Sequence, residues 1–287
     1  MNYRHSFHAG NFADVVKHIV LVLCLEHLAK KPAPFRVIDT HAGRGTYLLG
    51  KGDAERTGEW RDGIGKLAGS DAAPFPPDVA KLIARYLELV GGKDGAALET
   101  YPGSPAIVSA MLRPGDKLVA NELHPEDGKT LARHFKGDRA VKVMDMDGWT
   151  AVKALLPPPE RRGLVLVDPP FEDAGEFIRM TAALKDGLDR FKTGTFLLWY
   201  PIKDPKPVQR FHRAVREVAA AHALESALAL ELYLRAPRHP GLLNGAGLVV
   251  VNPPFDLAAK CAKILPSLAA IFAQGAGAEG RVEQLLS

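Results

Sequence analysis

The sequence predicts a doubly wound α/β fold, a mostly parallel sheet of about seven strands carrying a small helical insertion. Three observations point to it. Gly163-Leu164-Val165-Leu166-Val167 is an unbroken apolar run, as a strand buried on both faces requires, and Asp168-Pro169-Pro170-Phe171 ends it because proline brings no N–H to a ladder. Phe35-Arg36-Val37-Ile38-Asp39 is a second strand ending in a carboxylate, and in the loop after it Gly43 and Gly45 let backbone approach a bound nucleoside. Further strand-length apolar runs then alternate with amphipathic helical patterns.

At the amino terminus, Tyr3-Arg4-His5-Ser6-Phe7-His8 mixes aromatic and basic groups, which suits a tail folding over a nucleotide and equally an ordered terminus. Asn11 can cap a helix from about residue 12 to 30, with Asp14 three positions on and Val15, Val16, Ile19, Val20, Leu23 and Leu28 forming its apolar face. His5, His8, Asp14 and His18 lack a recognisable ligand spacing, so polar contacts or caps are expected there and no metal. The spacing Asp39-x-x-x-Gly43-x-Gly45, before what reads as the next helix, is similar to the cofactor loop of S-adenosylmethionine-dependent methyltransferases. The dinucleotide form fails because its third glycine position is Leu48, and His41 stands where the commonest form has a first glycine.

Residues 51–100 are too long for a plain connection. A polar Glu55-Arg56-Thr57-Gly58-Glu59-Trp60 stretch, a Pro-rich break at residues 73–77, an amphipathic helix over 79–90 and a Gly-rich turn over 91–95 read as a helical insertion at the sheet's carboxyl edge. Ser104 as N-cap and Pro105 at the first position then start a helix. The strand over 117–123 carries Glu122, placed either to hold a ribose diol or simply to be solvated at a strand end. The strand over 140–144 leads to Asp147-Gly148, placed either to read the cofactor's adenine amine or to open the next helix. Strands follow over 195–200, 226–234 and 248–251, the last two as a terminal hairpin. A loop with Arg235, Arg238, His239 and Pro240 joins them, and Arg161, Arg162, Arg235 and Arg238 are candidate phosphate contacts or ordinary solvated charges.

Asp168-Pro169-Pro170-Phe171 alone reads first as a strand-terminating turn, but it also suits chemistry on an exocyclic amine. The Asp168 carboxylate and the Pro169 carbonyl can accept the two amine hydrogens while the nitrogen lone pair turns to an electrophile, and Phe171 can stack on an extruded base. Gly247 to Phe255 repeats the pattern with Asn252-Pro253-Pro254-Phe255. The order of elements selects the first copy, because a fourth strand sits beside the first at the topological switch point. Asn252 then reads as a strand stop before a helix capped by Asp256.

The 287 residues, 47% hydrophobic and 24% charged, suffice for one large domain over 1–287. A net charge of +4 and a pI near 9.0 are compatible with a nucleic-acid partner and do not establish one. Cys24 and Cys261, without Cys-x-x-Cys partners, argue for a reduced cytosol. No apolar run is long enough for a membrane span and no signal-peptide core is present, so a cytoplasmic protein with no membrane partner is expected.

The blocks Tyr-Arg-His-Ser-Phe-His-Ala-Gly-Asn-Phe-Ala-Asp-Val-Val-Lys-His, Asp-Thr-His-Ala-Gly, Glu-Arg-Thr-Gly-Glu, Tyr-Pro-Gly-Ser-Pro, Glu-Leu-His-Pro and Asp-Pro-Pro-Phe together resemble the bacterial RlmJ family. That resemblance implies a Rossmann-like class I S-adenosylmethionine-dependent methyltransferase acting on the N6 amine of an adenine in 23S ribosomal RNA. It implies Asp168 as catalytic acceptor, with His18, His41, Ser104, Glu122, Asp147 and Gly148 as cofactor contacts beside it and Tyr3 near the substrate base. It also makes His41 an expected residue of its loop, whereas Phe171 departs from the common tyrosine.

The expected activity is direct methyl transfer from S-adenosyl-L-methionine, without metal, to large-subunit rRNA by a monomer. The rivals are the same chemistry on DNA adenine or guanine N2, and a non-catalytic nucleic-acid-binding module lacking a saturable cofactor site. The set Asp39, Glu122, Asp147 and Asp168 argues against the module.

Overall fold

The strand that ends at Asp168 lies parallel to the strand that ends at Asp39, with Leu166 opposite Asp39, in a computed structural model of the chain. The structure describes residues 5–68, 72–91, 98–173, 175–238 and 241–286. Tyr3, Arg4, residues 92–95 of the Gly-rich turn, His239 and Pro240 lie outside the described residues.

The elements run α1 (Phe12–Ala29), β1 (Arg36–Asp39), β2 (Thr46–Leu48), α2 (Gly52–Thr57), α3 (Pro77–Leu89), β3 (Thr100–Pro102), α4 (Ser104–Met111), β4 (Lys117–Asn121), α5 (Pro125–His134), β5 (Val141–Met144), α6 (Gly148–Leu155), β6 (Gly163–Val167), α7 (Glu176–Arg190), β7 (Thr195–Ile202), α8 (Pro205–Ala221), β8 (Ala227–Tyr233), β9 (Gly245–Val251), α9 (Leu257–Phe272) and β10 (Glu279–Gln284). The main sheet has the order β10-β8-β9-β7-β6-β1-β4-β5. Its β7-β6-β1-β4-β5 portion is parallel. The β8–β9 hairpin and β10 extend it antiparallel.

Helices cover both faces, which is why the central strands read as continuous apolar runs. Leu164 and Leu166 of β6 pack with α1, α4 and α9 on one side, whereas Val165 and Val167 pack with α6, α7 and α8 on the other. The sheet has eight strands because Glu279–Gln284 pairs with β8, Val282 opposite Leu230. That edge strand holds a single large apolar residue among charges, so its pairing comes from the backbone ladder rather than from a pattern visible in sequence.

Three local expectations change. The Gly43–Gly45 loop leads into β2 rather than a helix, and β2 pairs with β3 in an antiparallel ribbon that brings the two ends of the insertion together. Gly103 is the N-cap of α4, and Ser104, its first residue, spends its hydroxyl on Asp39 Oδ2 at 2.6 Å. Asp256 occupies the N-cap of α9 without a side-chain cap bond, because its carboxylate pairs with Lys30 and Lys260.

The N-terminal segment is fastened to the insertion. Ile64 N donates to Gly10 O at 2.8 Å, Ser6 Oγ to Asp53 at 2.7 Å, and His8 meets Glu59 at 2.9 Å. Asn11 caps α1 through Oδ1, accepting from Ala13 N and Asp14 N, while its amide donates to Glu59. No helix among the described residues is long and apolar enough to cross a membrane.

Candidate active site

The carboxyl ends of β1, β4, β5 and β6 open into one cavity of about 330 Å³. His18, His41, Ser104, Glu122, Asp147, Gly148 and Asp168 all line it, although they come from six separate stretches of chain. Parallel strands deliver their ends to one edge, so residues distant in sequence meet there.

Two histidines, His18 buried and His41 half-buried, stand on the β1 side. His41 Nδ1 lies 2.8 Å from Thr40 Oγ1, and the Thr40 hydroxyl donates its hydrogen to Leu166 O at 3.0 Å. His41 Nδ1 must therefore carry the proton, which leaves Nε2 as a lone-pair acceptor. Burial lowers the His41 pKa to about 4 against the pull of Asp168 and Asp147, so the ring is neutral. His18 is fully buried, with its pKa lowered to about 3 chiefly by desolvation. Its Nδ1 pairs with Tyr101 Oη at 2.7 Å, and its Nε2 has no hydrogen-bond partner among the described residues. The ring is one of the residues around the cavity, but this nitrogen itself has no exposed surface.

Glu122 is held by backbone. Gly43 N donates to its Oε2 and His124 N to its Oε1, each at 2.7 Å. Gly43 has φ +62, and a Cβ there would meet Tyr47 Oη at 2.1 Å, so the loop can aim its N–H at Glu122 only with glycine. Asp147 opens the next helix as expected: it is the N-cap of α6, accepting from Thr150 N through Oδ1, and it also lines the cavity. Gly148 is packed so closely that a Cβ would meet His41 Nε2 at 2.4 Å.

Asp39 is fully buried behind this wall. Desolvation raises its pKa to about 7, against the Ser104 hydrogen bond and the charge of Lys17.

Asp168 does not stand alone. Lys17, 3% exposed, donates to Asp168 Oδ2 at 2.5 Å and to Asp14 Oδ1 at 2.7 Å. Asp14 also accepts from Gly10 N at 2.9 Å and meets His5 Nε2 at 3.0 Å. The two carboxylates hold the Lys17 pKa above its usual range despite burial, and His5 and Lys17 hold Asp14 well below the usual carboxylate range. His5 and His8 thus serve carboxylate contacts, and among the described residues no three His, Cys, Asp or Glu side chains are grouped to hold a metal ion.

Pro169 and Phe171 do not line the cavity, whereas Pro170 does. Phe171 has φ 52, and its ring packs edge-on against Phe177 at 5.0 Å and Trp199 at 5.8 Å. The ring is thus held among core aromatics and away from the cavity. The second copy of the motif is used differently: Asn252 Nδ2 donates to Lys192 O and Gly194 O, each at 2.8 Å, at the opposite edge of the sheet.

Sequence reasoning missed Lys17. A helix that buries Val15, Val16, Ile19, Val20, Leu21 and Val22 is apolar nearly all round, and a lysine in its first turns needs a buried anion. That signal was present, but it could not name Asp168, 151 residues away.

Residues 32–284 match the family described as ribosomal RNA large subunit methyltransferase D, RlmJ. The chain is similar to the ribosomal RNA large subunit methyltransferase J of Haemophilus influenzae, 40% identical over 93% of this chain and 92% of that protein. The protein of the same name from Escherichia coli is 37% identical over the same shares. A crystal structure of a Legionella pneumophila protein superposes with a TM-score of 0.82 at 31% identity, covering 96% of this chain and 98% of that one.

Proposed function

The chain belongs to the RlmJ family of large-subunit rRNA methyltransferases, and from that premise we propose that it methylates the N6 amine of an adenine in 23S rRNA with S-adenosyl-L-methionine as donor. The observation that carries this reading is the convergence of Asp168 with Glu122 and Asp147 on one cavity.

S-adenosylmethionine, when bound, supplies an electrophilic methyl group. The donor set suits its polar parts. Glu122, already oriented by two backbone N–H groups, has lone pairs left for ribose hydroxyls. Asp147 keeps Oδ2 for an amine while Oδ1 caps α6. His18 and Ser104, buried between Asp39 and the cavity, face the amino-acid end.

On the target side, Lys17 takes Asp168 Oδ2 and leaves Oδ1 to accept a hydrogen from the adenine amine, with the Pro169 carbonyl accepting the other. The amine lone pair is thereby turned towards the methyl group, and orientation supplies most of the rate. The amine proton lost after transfer passes to Asp168 or to water. The family resemblance assigns Tyr3 to the substrate base, whereas Phe171 supports the turn after Asp168 from within the Phe177–Trp199 cluster. The protein works as a cytoplasmic monomer of one methyltransferase domain, with residues 51–100 as its insertion.

The test is transfer of labelled methyl to protein-free large-subunit rRNA and, in parallel, to DNA, followed by nucleoside analysis. N6-methyladenosine from RNA, absent with Asp168→Ala although that variant still binds S-adenosylhomocysteine, is expected. Full turnover by Asp168→Ala would remove the role of Asp168, and label in DNA or on guanine would move the substrate.

A further inference from the structure

Seven carboxylates line the cavity, and its two cations, Lys17 and Arg179, are both held by carboxylates, Arg179 by Asp173 at 3.0 Å. Such a mouth suits a cationic cofactor, but it repels the phosphates on either side of a target nucleotide. An RNA seated here must find its cations outside the cavity, and the surface of α8 supplies them. Val208, Phe211 and Val215 bury one side of this helix in the core. Lys206, Arg210 and Arg213 recur on the other side at i, i+4 and i+7, so they form one stripe over roughly 10 Å of helix, with Lys203 just before it and Glu217 at its far end. All four cations are exposed, and none has an ion pair or a side-chain hydrogen bond among the described residues. Asp204, beside them, spends Oδ1 on Lys206 N as the N-cap. An ordinary solvated helix face looks different. On the neighbouring α7, Lys185 meets Asp189 at 2.8 Å and Asp186 is taken by Lys153 at 3.0 Å. Like charges one turn apart on a helix are destabilising, and an anion laid along the stripe relieves that repulsion.

The stripe also starts in the right place. β7 is the parallel neighbour of β6, with Val167 opposite Leu198, and it runs on to Ile202, so Lys203 stands at the carboxyl edge onto which the cavity opens. Phe177, in the first turn of α7 between the cavity-lining Glu176 and Arg179, packs on Phe211 of α8 at 5.1 Å. The cations therefore begin one helix away from the mouth and lead off from it. We propose that the Lys203–Arg213 face of α8 is the track on which the sugar-phosphate backbone of the RNA substrate lies, to one side of the target nucleotide. The inference rests on the reading of the cavity as the site of methyl transfer to rRNA, and it adds the surface that holds the rest of that substrate. Phosphate contacts position a nucleic acid without reading its sequence, so the stripe supplies affinity and register while the cavity selects the base.

Lys206→Gln with Arg210→Gln removes two charges from the stripe, whereas Lys31→Gln with Lys192→Gln removes two from exposed positions at the amino edge of the sheet, before β1 and β7. For both double variants and the wild type we would measure binding to protein-free large-subunit rRNA over a series of NaCl concentrations, the KM and kcat of methyl transfer to it, and the affinity for S-adenosylhomocysteine, with thermal melting as a check of folding. Each cation that meets a phosphate contributes about 0.7–0.9 to the slope of log affinity against log salt. The stripe variant should therefore lose roughly 1.5 from that slope and about tenfold or more in RNA affinity near about 0.1 M salt. Its KM should rise by the same factor, while kcat at saturating RNA and S-adenosylhomocysteine affinity stay at wild-type values, since neither residue lines the cavity. The amino-edge variant should match the wild type, and Arg210→Lys, which keeps the charge, should keep the slope. An unchanged slope in the stripe variant, or an equal loss in the amino-edge variant, would overturn the proposal. Stripe-dependent RNA binding by a wild type that transfers no methyl to RNA would uphold the surface and remove the reading of the cavity.

Discussion

Lys17 donates to Asp168 Oδ2 at 2.5 Å, which ties the carboxylate at the end of β6 to the first turns of α1. The same ammonium holds Asp14, and Asp14 holds His5 and Gly10 N. The N-terminal segment and the Asp168 carboxylate are therefore members of one largely buried polar chain, and moving either disturbs the other.

Lys17→Met keeps most of the stem and removes the charge. It leaves Asp14 buried without its lysine partner, so stability should fall by roughly 3–5 kcal/mol, the cost typical of breaking one partner out of a buried pair. Asp168 also loses the contact that fixes its orientation, and single-turnover transfer should drop by about 10²-fold or more. Cofactor affinity should change little, since Lys17 meets carboxylates rather than the Glu122–Asp147 end of the cavity. Denaturant titration and single-turnover kinetics on the same preparation would check both, and unaltered turnover would detach Lys17 from the reaction.

Asn252 offers the opposite outcome from a near-identical tetrapeptide. Its amide spans the carbonyls of Lys192 and Gly194, and its φ of 50 is a conformation that asparagine tolerates better than most residues. Asn252→Ala should cost roughly 1–3 kcal/mol through two unsatisfied carbonyls and backbone strain. Turnover per folded molecule should equal that of the wild type, measured at a temperature where both are folded.

What sequence conveys well in this chain is what parallel-sheet geometry repeats. Buried strands write continuous apolar runs, the first and fourth must neighbour each other, and carboxylates at their ends must converge, so Asp39, Glu122, Asp147 and Asp168 were legible. Side-chain partners over long separations were not. Ser104 looks like an N-cap until Asp39 takes its hydroxyl, and Phe171 looks like a stacking ring until its backbone turns it towards Trp199. Glu279–Gln284 forms a strand with no strand-like pattern because an edge ladder needs only backbone.

The raised pKa of Asp39 predicts a stability effect of definite sign. An acid that titrates near 3.8 in the unfolded chain and at about 7 in the fold binds its proton more tightly when folded. Its contribution is therefore most favourable below about pH 4 and is lost as pH rises towards 7, at roughly 1.4 kcal/mol per pH unit across that window. Asp39→Asn removes this dependence. The stability advantage of Asp39→Asn over the wild type should grow between about pH 4 and 7 and then level off, in denaturant titrations at a series of pH values. A constant difference would show that Asp39 titrates as an ordinary carboxylate in the fold.

Gly148→Ala tests whether the close approach of α6 to His41 shapes the cavity. The added Cβ would lie 2.4 Å from His41 Nε2 and 3.0 Å from Thr40 O, and the backbone carbonyl cannot yield as a side-chain tip can. His41 is pinned at Nδ1 by Thr40 and packed edge-on against Trp149 at 5.5 Å, so relief must come from rotating the imidazole out of its bond or from lifting the start of α6. Either movement displaces Asp147, whose Oδ1 is fixed to Thr150 N in the same turn. Affinity for S-adenosylhomocysteine should fall by roughly tenfold or more, the equivalent of about 1.4 kcal/mol. Global stability should fall by only about 1–3 kcal/mol, as for other overpacked sites. Calorimetry beside thermal melting separates the two: equal loss in both would mean that the glycine serves packing alone, whereas lost affinity in a folded protein would assign the Gly148–His41 contact to the cofactor's place.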